Sequence, residues 1–368
     1  MNPASPPGGR FAALDGLRGM AALSVTFFHA ILYYQPALQD RVMNVPAQQL
    51  AAADLPMKIM LTVFDGEAAV ICFYILSGLV LHHSLMRMAA GAGAWRVAAE
   101  FFWRRAARLI PAMLSTMLFL WLVAWLWTAS GGSGFPPVSL EAALKNAFLL
   151  EIGNFHGPSR SVQIEAVATP FLLAGAFIYL WAGFSGLLAM ALVSLLALQN
   201  LWVVFSIPLI APYLFAFVCG MLAATPQAAA LFGTASGRAV FMWLAVGLGA
   251  RHLAPHQSLT ALIVQVGALA AMVACLRHVP GSWPARALTR PLPAFLGRIS
   301  YSYYLLNVVA IHVLVALVPV EPASIKGLTW VFFGMAAFIL TVPFAMLSER
   351  FIERPSIRLS HIFARRIA

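Results

Sequence analysis

Long apolar runs recur along most of this 368-residue chain. A helix that crosses a bilayer needs about 20 consecutive, mostly apolar residues. Ten segments meet or approach this requirement, and they lie at 17–36, 59–82, 109–128, 164–182, 185–203, 207–224, 239–253, 258–276, 299–318 and 329–347. The pattern predicts an all-α, polytopic integral membrane protein with about ten transmembrane helices.

The composition supports this prediction. Hydrophobic residues make up 62% of the chain and charged residues 10%, whereas a soluble domain carries about 25% charged residues. A soluble protein of this length could not bury so much apolar surface in one core, so the lipid bilayer is the expected solvent. No internal repeat or low-complexity linker divides the sequence. We therefore expect one domain over 1–368, with a flexible tail over 1–12 and a basic cytoplasmic tail over 356–368.

The positive charges predict an orientation. With the N-terminus in the cytoplasm, 17 of the 23 Lys and Arg residues fall in cytoplasmic segments, as the positive-inside rule requires. An even number of spans then places both termini in the cytoplasm, in a multi-pass protein of the cell inner membrane. The basic residues lie between apolar runs rather than on one continuous surface, so the net charge of +11 does not indicate nucleic acid binding.

Several chemistries lack their sequence motifs. The three cysteines, Cys72, Cys219 and Cys275, lie in different apolar runs, without metal-ligand spacing or a disulfide framework. The sequence contains no phosphate-binding glycine loop, HExxH, CxxC or GxSxG motif. We therefore expect no metal and no permanently bound cofactor.

The first apolar run contains ionisable residues, each of which costs at least about 2.5–3.5 kcal/mol near the bilayer centre. Arg18 and His29 are eleven residues apart, which is almost a whole number of helical turns, so they share a face at about 16 Å along the axis. Such a face can hold an elongated ligand between a charged head and a reactive end. Alternatively, Arg18 extends to the interface and His29 bonds a neighbouring helix.

Three arginines, Arg104, Arg105 and Arg108, precede Pro111. Guanidinium groups at this spacing can form a phosphate-sized site through bidentate, charge-assisted bonds. The alternative is that the arginines anchor the cytoplasmic side and contact anionic lipid. Taken alone, the cluster favours this alternative.

Two further polar segments open apolar runs. Glu165 begins the fourth run and could orient a histidine, accept a proton or bind a hydroxyl, or it could be a solvated interfacial acid. The ninth run begins GRISYSYYLLN, in which Tyr301 and Asn307 are less than two helical turns apart. Part of this set can therefore face the bundle interior, although interfacial tyrosines are common in membrane proteins.

Taken in order, six segments resemble acyltransferase family 3, the membrane acylases of bacterial O-antigens, exopolysaccharides, Nod factors and macrolides. They are LDGLRGMAALSVTFFHA, which contains Arg18 and His29, then VICFYILSGLVL, RRAARLIP, SVQIE, ISYSYYLLN and RFIERP. The first and the fifth are the most specific, and the set extends from residue 14 to residue 355.

The resemblance implies a ten-helix acyltransferase core and an acyl-CoA donor, often acetyl-CoA. It implies essential roles for Arg18, His29, Arg105 and Arg108, and it suggests a role for Glu165.

The sequence departs from the family at two places. Asn307 stands where the family commonly has a histidine, and Val167-Ala168 stand where it has aromatic residues. Asn307 cannot titrate but can form hydrogen bonds, and the second departure leaves the acceptor open.

These observations lead to one hypothesis. The phosphates of acyl-CoA bind Arg105, Arg108 and Arg18, and the thioester reaches His29, which removes the proton of a hydroxyl on a carbohydrate or lipid-linked glycan acceptor. Glu165 orients the imidazole or the acceptor, and the remaining substrate contacts come from Tyr301 and Asn307. A relay through an acyl-histidine is an open variant.

Two other functions remain open from the residues alone. In a transporter or channel for a glycan or anion, Arg18, His29 and Glu165 would line a path. Inverted repeats or paired broken helices would favour that function, and the sequence shows neither. A non-catalytic assembly subunit is the third possibility, and it predicts that the basic and histidine positions are dispensable.

Overall fold

The computed structural model describes residues 11–89, 93–151, 155–254, 258–318 and 329–367, with side chains up to 362. These residues form helices, turns and irregular segments without a strand, which confirms the all-α prediction. The helices are α1 (Ala12–Tyr34), α2 (Leu55–Val63), α3 (Gly66–Ala89), α4 (Ala94–Ala129), α5 (Leu140–Ala147), α6 (Gly157–Leu196), α7 (Leu214–Ala223), α8 (Pro226–Phe232), α9 (Gly237–Leu253), α10 (Leu259–His278), α11 (Trp283–Leu288), α12 (Pro291–Leu317), α13 (Thr329–Ser348) and α14 (Arg354–Ile367).

The two predicted tails are described only in part. Most of the segment 1–12 lies outside the described residues. Most of the segment 356–368 belongs to helix α14.

Seven helical segments in the described residues are long and apolar enough to cross a membrane. They contain α1, α2 with α3, α4, α6, α10, α12, and α13 with α14. An eighth is formed if α7 and α8, which meet at an angle of 77°, together make one span. The polytopic membrane architecture is thereby supported, while the number of ten spans stays a prediction.

The difference between eight and ten has two structural sources. Helix α9 contains 17 residues, slightly fewer than a span of ordinary length requires. Helix α6 is interrupted at Gly183, whose φ of 60° lies in the left-handed region that glycine adopts without steric cost. The two parts of α6 correspond to the predicted runs at 164–182 and 185–203.

The chain forms two compact units that alternate along the sequence. The first contains Met1–Ala21, Asp40–Arg87 and Pro170–Arg298. Within it, α3 and α7 touch through their glycines: a Cβ on Gly78 would lie 2.0 Å from the Phe217 carbonyl oxygen, and one on Gly220 would lie 2.0 Å from that of Ile75. The predicted Ser77-Gly78 segment is therefore a close backbone contact, as small residues allow between membrane helices.

The second unit contains Ala22–Gln39, Met88–Thr169 and Ile299–Ala368. Helix α12 is tied to its neighbours there by polar side chains. Tyr303 accepts a hydrogen bond of 2.9 Å from Thr26 of α1, and the hydroxyl groups of Tyr304 and Ser161 of α6 are 2.5 Å apart. These contacts fix the azimuth of α12, because two adjacent residues, about 100° apart around the helix axis, bond two different helices.

The orientation can be tested with reporter fusions. Reporters placed after Asp40, Gly93, Gly134 and Gly281 are expected to read outside, inside, outside and inside, because the basic segments stay in the cytoplasm. A fusion after Asn200 decides whether α6 is one span or two. If its parts are separate spans, as predicted, this reporter reads outside. A cytoplasmic signal at Asp40 would reverse the orientation, and one at Asn200 would reject the two-span interpretation of α6.

Candidate functional site

Most of the predicted site residues belong to the second unit. These are His29, Arg105, Arg108, Glu165, Tyr301 and Asn307. Arg18 belongs to the first unit, where its Nη1 lies 3.0 Å from Asp15 Oδ1 in an i,i+3 ion pair. Its contact with a donor stays a prediction from the resemblance.

His29 of α1 and Asn307 of α12 carry unused hydrogen-bonding capacity. Asn307 is fully buried and is the polar side chain that faces the His29 imidazole. Neither Oδ1 nor Nδ2 of Asn307, nor Nδ1 of His29, has a hydrogen-bond partner of normal length in the described residues. Leaving a buried polar group unpaired costs about 1–3 kcal/mol, and such groups are rare. The amide of Asn146 is unbonded in the same way, so the lack of partners makes His29 and Asn307 a candidate ligand contact because they also belong to the predicted site.

The other polar side chains of the α12 motif are already engaged. Tyr301 Oη donates to the Leu109 carbonyl oxygen at 3.2 Å, and Ser302 Oγ donates to Glu353 Oε2 at 2.9 Å. The Tyr301 hydroxyl thus bonds α4, and the contact of Tyr301 with a substrate stays a prediction. Asn307 differs from both, because its amide has no hydrogen bond of normal length within the described part of the chain.

The structure joins two residues that the sequence suggested separately. Arg105 is buried, and its Nη2 lies 3.0 Å from Glu165 Oε1 and 2.9 Å from the Glu165 carbonyl oxygen. Its Nε donates to Thr169 Oγ1 at 2.7 Å. A buried guanidinium needs a charged partner to offset its desolvation, and Glu165 is that partner. Arg105 holds the beginning of α6 against α4, with its Nε and Nη2 occupied by protein atoms.

Arg108 is the most available guanidinium of the arginine cluster. Arg104 forms an ion pair with Glu100 one turn earlier on α4, and Arg105 is paired with Glu165. Arg108 is half-buried, and in the part of the chain that the structure describes no carboxylate lies within ion-pair distance of it. A half-buried cation without a counter-charge is suited to an external anion.

Two histidines near His29 were missed by the sequence reasoning. His156 is fully buried, with Nε2 2.8 Å from the Leu305 carbonyl oxygen and Nδ1 2.6 Å from Ser159 Oγ. Since a carbonyl only accepts, Nε2 carries the proton and Nδ1 accepts from the serine. His312 Nε2 donates to the Phe155 carbonyl oxygen at 2.9 Å. A histidine in the segment FHGPS before the fourth run and one late in the ninth run were the available signals.

The three imidazoles, those of His29, His156 and His312, differ in their hydrogen bonds. Burial lowers the pKa of His156 to about 4, against the opposing effect of its hydrogen bond to Leu305, so His156 is neutral at physiological pH. Within the described residues the histidines do not form a group that could hold a metal ion. Of the three, His29 has a ring nitrogen that is buried and unbonded, which is the condition for exchanging a proton with a bound substrate.

This arrangement has the groups needed for proton transfer beside a hydrogen-bond donor. An imidazole can accept the proton of a hydroxyl group, and a carboxamide N–H can stabilise charge that develops on a carbonyl oxygen. Comparison with known proteins bears on which reaction uses these groups. No curated protein and no solved structure matches the chain. A family model described as an acyltransferase domain matches residues 11–350, nearly the whole chain, and the protein therefore belongs to acyltransferase family 3.

Proposed function

We propose that this membrane acyltransferase moves an acyl group, an acetyl group in the simplest case, from acyl-CoA to a hydroxyl of a carbohydrate or glycolipid acceptor. The observation that carries the proposal is the pair of half-buried His29 and buried Asn307 in the second unit. Among the described residues, His29 Nδ1 and both amide atoms of Asn307 have no hydrogen bond of normal length. Family membership supports acyl transfer, and a transporter or channel has no comparable support. The donor, the acyl group and the acceptor belong to the proposal.

The reaction needs one base and one donor to a carbonyl oxygen. His29 accepts the proton of the acceptor hydroxyl while that oxygen attacks the thioester carbonyl carbon. Asn307 Nδ2–H bonds the carbonyl oxygen as it gains negative charge. The C–S bond then breaks, the thiolate takes the proton from His29, and the products are an ester and free CoA. General-base assistance of this kind typically contributes 10²–10⁴ in rate.

The donor phosphates have a candidate ligand in the same unit. Arg108 offers a half-buried guanidinium without a carboxylate partner among the described residues, and bidentate bonding to phosphate is the contact that arginine forms best. We assign Arg105 a positioning role, because its Nε and Nη2 already bond Thr169 and Glu165. Arg18 remains a candidate phosphate ligand on the resemblance alone.

Binding of CoA by the detergent-purified protein tests this function, since neither a glycan channel nor an assembly subunit predicts it. The change is Arg108→Gln, and the matched control is Arg358→Gln, which removes the same charge from an exposed position on α14. Charge-assisted hydrogen bonds are each worth about 1.5–3 kcal/mol. We therefore expect at least about a tenfold loss of CoA affinity in Arg108→Gln and none in the control, by isothermal titration calorimetry.

Two results would contradict the proposal. If the wild-type protein does not bind CoA, the donor is wrong. If both variants bind CoA with the same affinity as the wild type, the phosphates lie elsewhere and Arg108 is a topological anchor.

A further inference from the structure

A row of aromatic rings in the second unit begins at His29. Successive ring centroids are separated by 5.9 Å from His29 to Tyr33, 5.0 Å from Tyr33 to His312, 5.7 Å from His312 to Phe135 and 6.1 Å from Phe135 to Trp127. The rings come from α1, α12, the segment after α4 and the last turn of α4. All five residues are half-buried. The row therefore presents a continuous aromatic surface that ends at the candidate catalytic histidine.

The rings of this row are held in place by contacts within the protein. The aromatic residues of an interfacial belt instead face lipid. Trp125 and Leu126, on the same turn of α4 as Trp127, are 56% and 52% exposed and face outward. Trp127 is instead half-buried, and its Nε1 donates to the Ser133 carbonyl oxygen at 3.0 Å. One hydrogen bond and one ring contact thus fix the indole beside Phe135, so α4 carries a lipid-facing and an inward-facing tryptophan two residues apart.

Hydrogen-bonding groups lie beside the row. A hollow of about 150 Å³ is lined by Ser139, Glu141, Ala142, Lys145, Glu151 and Phe155. It adjoins the row at Phe155, whose carbonyl oxygen accepts the hydrogen bond from His312. Lys145 Nζ lies 3.0 Å from Glu141 Oε1 and 3.3 Å from Glu151 Oε2. Two carboxylates share one ammonium, so the hollow carries a net negative charge and further acceptor oxygens.

This combination matches one class of ligand. The C–H groups on one face of a sugar ring are slightly positive and are attracted to the negative face of an aromatic ring. The equatorial hydroxyls of the same sugar are hydrogen-bond donors, which carboxylates accept. A lipid chain would leave the carboxylates unused, and an anionic sugar would be repelled by them.

We propose that the row Tyr33–His312–Phe135–Trp127, together with the hollow at Glu141 and Glu151, is the acceptor subsite and takes a neutral or amino sugar rather than an acidic one. Successive sugar rings of the acceptor stack along the row, their outer hydroxyls bond the carboxylates, and a hydroxyl of the innermost ring reaches His29. This inference rests on the proposed function, because the inner end of the row is the proposed base.

The test compares Trp127→Ala and Phe135→Ala with Trp125→Ala, the lipid-facing control on the same helix. The acceptor probe is the total envelope glycan fraction of cells that lack the gene, de-esterified with mild alkali and incubated with purified protein and acetyl-CoA. Acetyl transfer at limiting acceptor is measured by mass spectrometry, and the modified monosaccharide is then identified. We expect about a tenfold or larger loss of rate for the two row variants, with CoA affinity unchanged.

Trp127→Phe keeps a ring and should recover most of the rate, and retained CoA affinity shows that the variants are folded. Acetylation of an acidic sugar, or row variants that behave like Trp125→Ala, would overturn the acceptor subsite while acyl transfer stands. Absence of acetyl transfer to any glycan by the wild-type protein would instead overturn the proposed function itself.

Discussion

Replacement of His29 by glutamine is expected to lower acyl transfer by about 10²-fold or more, with CoA binding unchanged. Glutamine retains hydrogen-bonding capacity beside Asn307 but cannot accept the proton of a hydroxyl group. The measurement is acetyl transfer to the envelope glycan fraction by the purified variant, with CoA affinity determined alongside.

The matched control for this substitution is His278→Gln. His278 is also a helical histidine, but it belongs to the first unit, where its Nε2 lies 2.9 Å from the Ala223 carbonyl oxygen. A glutamine amide can replace that single donor, so near wild-type transfer is expected. If His29→Gln transfers acetyl at the wild-type rate, His29 is not the base and the mechanism fails.

A separate measurement on the wild-type protein distinguishes direct transfer from an acyl-histidine relay. In a relay, an imidazole nitrogen attacks the thioester carbonyl carbon, CoA leaves as the thiol, and the acyl group remains on the ring until the acceptor hydroxyl displaces it. Wild-type protein incubated with acetyl-CoA and without acceptor would then gain the mass of one acetyl group at the peptide containing His29. Direct transfer predicts the unmodified mass.

The membrane architecture could be predicted from the sequence because lipid imposes a minimum length on each span. Apolar runs report that length directly, and the helices α1, α3, α4, α10, α12 and α13 lie where such runs occur. The positions at which a helix is interrupted are harder to predict, because they depend on single residues. Gly183 interrupts α6 at a φ of 60°, whereas glycines such as Gly78 lie within a continuous helix.

The sequence predicts candidate site residues, whose roles stay predictions, but not the contacts among them. His29 stands out as an ionisable residue inside an apolar run, whereas Asn307 is noted as a departure from the family motif. That Asn307 is unpaired while Tyr301 and Ser302 are engaged depends on the azimuth of α12, which tertiary packing decides. Ser302 bonds Glu353, 51 residues later in the chain. A local sequence pattern cannot reveal a contact between residues so far apart in the chain.

The aromatic row illustrates the same limit. Its rings come from three helices and a connecting segment, so the spacing within any one helix does not reveal it. Tyr33 and Trp127 alone are typical of residues at a membrane interface. Their ring contacts with His312 and Phe135 make them part of the row that we propose as the acceptor subsite.

The pair Arg105–Glu165 is expected to give the largest effect on stability. Removing one partner of a fully buried ion pair costs about 3–5 kcal/mol, because the remaining charge is left without compensation. The cost here is expected below that range, since Glu165 is 26% exposed while Arg105 is buried. Glu165→Gln leaves the guanidinium of Arg105 buried with its bonds to Thr169 and to the Glu165 backbone but without a carboxylate. We expect a marked fall in the thermal midpoint of the purified protein, measured by scanning fluorimetry. Arg104→Gln, one residue away, breaks the more exposed i,i+4 pair with Glu100 and should cost less than about 1 kcal/mol.

A double variant separates support of the fold from a role in the reaction. In Arg105→Gln/Glu165→Gln neither charge remains, so much of the lost stability should return, as in other buried pairs replaced together. If Glu165 orients His29 or the acceptor, acyl transfer stays low in this stabilised double variant, with CoA affinity retained. Recovery of both stability and transfer would show that the pair only holds α4 against α6. An unchanged thermal midpoint in Glu165→Gln would show that the buried ion pair does not stabilise the protein, and the role of Arg105 as a positioning residue would then have to be abandoned.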